Sequence, residues 1–232
     1  VSAPAAEPAF FDILAASTAP EREALLSVPA VRLGAAGELG LETYTAFLAQ
    51  AYHHVKHTVP LLMACGGRLP EALGWMREAV ARYIAEEQGH EEWILDDIAA
   101  CGGDAEAVRH SRPARATELM VAYAYDTVNR GNPAGLFGMV FVLEGTSVSL
   151  ARQAAANLQQ TLGLPDAAFT YLNSHGALDV GHMEFFAGLM NRLERQEDRD
   201  AVLHAARMFF HLYADIFRGL PLHDPSPATP GA

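Results

Sequence analysis

The chain has 232 residues, 50% of them hydrophobic and 19% charged, enough to bury a sizeable core and outside the composition of disordered chains. Lys and Arg number 16 against 28 Asp and Glu, a net charge of −12, and the basic residues are scattered; this excludes a binder of nucleic acid or of an anionic membrane surface, both polyanions. Cys65 and Cys101 are the only cysteines, which excludes a zinc ribbon or a disulfide-rich scaffold and leaves a single disulfide between them open.

Helical periodicity runs almost throughout, with no alternating stretch that reads as a strand. Residues 1–18 are rich in Ala and Pro and read as a loose arm. A short helix is expected near Glu21–Val28, then a long one over Leu41–Cys65, interrupted at Pro60, whose ring cannot take the normal helical bond. Pro70 is placed to open a helix reaching Cys101, where Gly102-Gly103 stops it. The strings Ala64-Cys65-Gly66-Gly67 and Ala100-Cys101-Gly102-Gly103 both read as helix ends. Further helices are expected over Ala116–Asn129, from Asn132-Pro133 to Leu162, from Pro165-Asp166 to about Arg195 with an irregularity at Gly176, and over Glu197–Arg218. The tail 221–232 has four prolines and reads as flexible. The expectation is one all-α domain over 19–220, a bundle of about seven helices. No signal peptide and no bilayer-length apolar run are read, so a cytoplasmic protein with no membrane contact is expected.

Three places put metal-ligating residue types on apolar helices. Glu87 and His90 form Glu-x2-His, a spacing that brings both to one helix face, and Glu86 competes with Glu87 for that role. Glu144 is the only charged residue between Asn132 and Arg152; a carboxylate there calls for a partner charge, a metal or a raised pKa. His175, Asp179 and His182 lie at offsets 0, 4 and 7, which at roughly 100° per residue fall within about 60° of arc on one face. Imidazole and carboxylate together suit iron, manganese or zinc.

Six such ligands, three His and three carboxylates from three helices, are too many for one open zinc and match two irons that share carboxylates. His53 and His57, four apart, are possible supplementary ligands or relays, with ordinary packing the blander reading, for His54 above all. Tyr83, Phe137, Phe141 and Phe186 lie one or two turns from the candidate ligands and are the expected walls of a substrate pocket.

Tyr52-His-His-Val-Lys-His57, Glu86-Glu-x-Gly-His90, Glu144 and His175-x3-Asp179-x2-His182 together resemble the heme-oxygenase-like superfamily, and within it the heme-oxygenase-like di-iron oxidases, over roughly residues 40–220. The resemblance implies a seven-helix fold, a non-heme site of two Fe and dioxygen as co-substrate. The substrate would be a small amino-acid-like or fatty-acid-like molecule, with an external electron donor possible. Glu87 and His90, Glu144, and His175, Asp179 and His182 would be the ligands. A homodimer is the expected assembly. Two alternatives stay open: a metal-free enzyme of the TenA or PqqC type, and a non-catalytic bundle acting as a binding or sensor protein.

Overall fold

A computed structural model describes residues 8–222, apart from the side chains of 175–180. The described residues form twelve α-helices and no strand. They are α1 (Phe10–Ser17), α2 (Ala19–Leu26), α3 (Pro29–Ala36), α4 (Leu41–Val55), α5 (Thr58–Arg68), α6 (Met76–Glu87), α7 (His90–Ala100), α8 (Ala105–His110), α9 (Arg115–Asn129), α10 (Leu136–Leu162), α11 (Thr170–Asn191) and α12 (Gln196–Arg218). The all-α class is as expected; the count exceeds seven because two predicted long helices are each split in two and because α1, α3 and α8 were not expected.

The first break lies at Lys56-His57, ahead of Pro60. Pro60 is the third residue of α5, where its missing N–H has no helical acceptor to lose. The predicted stop after Cys65 does not occur. α5 runs on to Arg68, and Gly66 packs under α6, since a Cβ there would stand 3.1 Å from Val80 Cγ1. The predicted helix from Pro70 to Cys101 is split at Gln88-Gly89, with Gly89 at φ 91°, left-handed backbone that glycine accepts at little cost. The second predicted glycine stop is found: Gly102 takes φ 80°, and Gly103 N donates to Ile98 O at 2.9 Å.

Residues 10–17, expected as part of a loose arm, form α1 instead. Phe10 and Leu14 are buried, and Phe11 packs edge-on against Phe141 and Phe186; aromatic burial of this kind outweighs the weak local signal of an Ala/Pro-rich stretch.

α10 is the axis of the bundle. Contrary to the sequence-based expectation, the stretch Pro133–Leu162 is long and apolar enough to cross a membrane; half of its most apolar window is buried inside the bundle. Gly138 lets α12 approach closely: a Cβ there would sit 2.6 Å from Ala206 N and 2.7 Å from Val202 O. Asn132 begins this segment as expected, its side-chain oxygen accepting from Ala134 N at 3.0 Å. Two apolar clusters make up the core. One gathers around Leu14, Phe137, Phe186 and Phe209, the other around Tyr44, Ile94, Leu158 and Phe169.

Candidate metal centre and substrate cavity

A cavity of about 160 Å³ opens between the two clusters and takes lining from both, including Leu61, Tyr83 and Met139 on one side and Tyr44, Ala151 and Leu172 on the other. Its acidic lining residues are Glu87 and Glu144. On α10 the lining recurs at Leu136, Met139, Val140, Leu143, Glu144 and Ser147, a stripe of helical period that turns Glu144 inward.

The described side chains of the candidate ligands fall into two sets, Glu87 with His90, and His182 with Glu86 and Glu144. His90 Nδ1 lies 3.1 Å from Glu87 Oε2. This contact spans the Gln88-Gly89 joint, so the pair does not share one continuous helix face as the spacing suggested; the turn itself swings His90 back toward Glu87. His182 Nε2 lies 3.2 Å from Glu86 Oε2, and its Nδ1 lies 4.0 Å from Glu144 Oε1. The longer separation is beyond hydrogen-bond reach. Glu144 and His182 side chains are only 11% and 9% exposed. Glu86 is held at its other oxygen by Arg82 Nε at 2.8 Å, and the Arg82 guanidinium stacks on Phe185 at 4.2 Å. Glu86 therefore lies between a surface cation and His182, within ion-pair distance of the ring although its Oε2 makes no hydrogen bond, while Glu87 lines the cavity.

Tyr83 is 2% exposed, and its hydroxyl has no hydrogen-bond partner. Burial, reinforced by the negative charges of Glu144 and Glu86, pushes its pKa well above the usual tyrosine value, so the phenol keeps its proton. Ser147 Oγ, one turn beyond Glu144, is likewise buried without a partner.

His175 and Asp179 have side chains outside the described residues; the backbone of α11 runs unbroken through them and through Gly176, where an irregularity was expected. Among the described residues, no group of three or more His, Cys, Asp or Glu is gathered tightly enough to hold a metal ion as it stands.

Other expected site residues lie elsewhere. His53 Nε2 contacts Ser111 Oγ at 2.8 Å, and His57 Nδ1 contacts Tyr125 OH at 3.1 Å, both outside the cavity lining. Phe137, Phe141 and Phe186 do not line the cavity either; Phe141 stacks on Phe186, centroids 5.9 Å apart, in the adjoining core. The reason is angular: Phe137 and Phe141 sit on α10 away from the 136–140–143–147 stripe. Of the four expected wall residues, Tyr83 alone lines the cavity.

His54 and Ser147 are cavity residues that sequence reasoning missed. His54 lies seven residues after Phe47, which also lines the cavity from α4, so the stripe on that helix carried the signal. Cys65 and Cys101 are buried free thiols. Burial pushes their pKa values up to about 12 and about 11, the latter with help from Asp97.

The fold is heme oxygenase-like. A domain of unknown function from Shewanella denitrificans described as having that fold superposes with a TM-score of 0.80 at 25% identity, over 91% of each chain. A TenA homologue from Pseudomonas syringae pv. tomato gives 0.74 at 14% identity over 94% of this chain and 98% of its own. The heme oxygenase of Leptospira interrogans gives 0.71 at 18% over 92% and 100%. The chain belongs to a family of iron-containing redox enzymes, whose pattern it matches over residues 45–214. No curated protein sequence matches it.

Proposed function

We propose that the chain is a non-heme di-iron oxidase or oxygenase that uses dioxygen to oxidise a small organic substrate held in the cavity. The observation that carries this reading is the approach of His182 from α11 to Glu86 at the end of α6 and toward Glu144 of α10, with Glu144 and the His90-contacting Glu87 the two acidic residues that line the cavity. Carboxylate oxygen and imidazole nitrogen are the donor set iron takes. All 16 Lys and Arg lie among the described residues, and none lines the cavity. Buried carboxylates in such surroundings are stabilised by a bound cation.

In this reading Glu87, His90, Glu144, His175, Asp179 and His182 hold the metal, and Glu86 orients the His182 ring, the usual service of a carboxylate to a ligating histidine. Bound iron would supply the binding and reduction of dioxygen. The chain's own residues do the rest: the apolar walls exclude water from the substrate, and Tyr83 offers a protonated hydroxyl beside Glu144. Neither cysteine lines the cavity and both thiols are pushed toward the neutral form, which weighs against a thiol-dependent chemistry of the TenA type. An external electron donor and a homodimeric assembly belong to the same proposal.

The test is anaerobic Fe(II) titration of the metal-free protein, followed by mixing with dioxygen while absorbance is recorded. Binding near two irons per chain, lost in His182→Ala, is the expected result. An intact helical spectrum with no iron uptake would overturn the reading.

A further inference from the structure

Every residue that lines the cavity is buried or half-buried, so no exposed side chain frames an open mouth. A molecule arriving from solvent needs a wall that yields. On the outer side of α3 lies a groove bordered by the exposed Arg32, Ala36 and Glu38. Val31 and Ala35 of α3 and Leu150 of α10 line both this groove and the cavity. One layer of side chains separates the two spaces there.

The build of α3 lets it move as one piece. It has eight residues, too few to hold a helix without support from its neighbours. Pro29 opens it and Gly37 ends it, at φ 76°. Toward the cavity it presents Ala30, Gly34 and Ala35 beside Val31, small groups that give up little apolar burial when they lift. Its last turn is held by Asn157 of α10. Asn157 Nδ2 donates to Ala35 O at 2.7 Å, a carbonyl at the helix end that has no acceptor role within α3. The amide is fixed in that orientation because Asn157 Oδ1 accepts from Gln153 Nε2 at 2.9 Å. The Gly37 turn rests on the same residue, since a Cβ there would fall 2.7 Å from Asn157 Cβ. Asn157 itself does not line the cavity.

We infer that α3 is the door of the cavity: it swings on Pro29 and Gly37, Asn157 is its latch, and a small apolar molecule passes between Val31, Ala35 and Leu150. Opening of this kind is local, with the rest of the bundle folded. Because Asn157 touches the door and not the cavity, loosening it changes how fast a molecule enters and leaves, and leaves the affinity alone. The inference concerns entry only and stands apart from the oxidase reading.

The experiment is stopped-flow binding of the uncharged fluorescent probe N-phenyl-1-naphthylamine to the full chain in chelator at pH 8. Asn157→Ala is expected to raise the association and dissociation rates together by about threefold to tenfold, the value of one hydrogen bond, with Kd unchanged within about twofold. Asn157→Asp keeps the oxygen that accepts from Gln153 but cannot donate to Ala35 O, and should match the Ala variant. Hydrogen exchange read by mass spectrometry should show the α3 amides exchanging faster in both variants, with those of α12 unmoved. Wild-type rates in both variants, a change confined to one of the two rates, or α3 amides that exchange as in the wild type overturn the inference. So does a wild-type chain that binds no probe with its helical spectrum intact. A chain that takes up two irons but shows none of these rate changes keeps the oxidase reading and loses the door; one that shows them but takes up no iron does the reverse.

Discussion

Asp97 on α7 accepts hydrogen bonds from the backbone amides of Thr170 and Tyr171, at 3.0 and 2.9 Å, and so holds the first turn of α11. The helix that begins at His90 thereby anchors the helix that carries His182. A carboxylate at an amide-rich helix start is favoured by hydrogen bonding and by the helix dipole. Asp97→Ala should lower unfolding free energy by about 1–3 kcal/mol, read by urea denaturation, with Asp97→Asn intermediate. An unchanged midpoint in the Ala variant would remove Asp97 from this role.

The same residue carries a pH signature. Burial raises the Asp97 pKa from 3.8 to about 6, outweighing the two amide hydrogen bonds that act to lower it. A raised folded-state value means that the neutral form is favoured on folding. The associated stability is full below about pH 3.8 and is lost as pH rises through about 6. Wild type minus Asp97→Asn, which does not titrate there, should therefore fall in stability across that window. A flat difference would contradict the assignment.

His53 behaves in the opposite sense. Its burial, then the neighbouring Lys56 and His57, lower its pKa from 6.5 to about 4. Stability from neutral His53 is present above about pH 6.5 and is lost as pH falls through about 4. Lys56 Nζ lies 3.3 Å from Nδ1, so the ring proton sits on Nε2 and is donated to Ser111 Oγ, which itself donates to Val108 O. Ser111 is therefore not an activated nucleophile, despite the superficial likeness to one. An NMR titration of His53 should show its midpoint near 4; a midpoint near 6.5 would refute the picture.

Two helical glycines should respond with opposite signs. Gly138→Ala forces a Cβ onto the α12 backbone and should cost at least about 1–3 kcal/mol. Gly188 in α11 has nothing within 4 Å of a Cβ, so Gly188→Ala should add about 1 kcal/mol through helix propensity. Thermal melts of both variants decide it, and equal shifts would contradict the packing described.

Glu144→Gln keeps the side-chain volume while removing the charge. Under the iron reading, uptake should fall by at least one equivalent per chain in the anaerobic titration, with the melting temperature of the metal-free protein held within a few degrees. Full uptake by this variant would place the metal elsewhere.

Much of this architecture could be read from local chemistry. The Asn132-Pro133 start, the Gly102 stop and the boundaries near Arg115–Asn129 and Gln196–Arg218 follow from caps and breakers whose effect is confined to a few residues. The misjudged places depend on contacts between distant segments. α1 exists because Phe10, Phe11 and Leu14 find the core, and helix α5 passes through Gly66-Gly67 because α6 lies against it. α8, which no periodicity marked, is a single short helix capped by Asp104 through Ala107 N. In the candidate site, Glu87, His90, Glu144 and His182 could be nominated from residue type and spacing. Which aromatic rings face the cavity could not, since that depends on the rotation of α10 against α11 and separates Tyr83 from Phe137, Phe141 and Phe186.

The hollow between the two apolar clusters has a mechanical consequence. Two half-cores that meet across empty space cohere less than one continuous core, because atoms facing a void forgo their dispersion contacts. A molecule seated there acts as mortar between them. At a hundredfold excess over its dissociation constant it adds about 2.7 kcal/mol to the folded state, so a rise in melting temperature reports occupancy whether or not any chemistry follows.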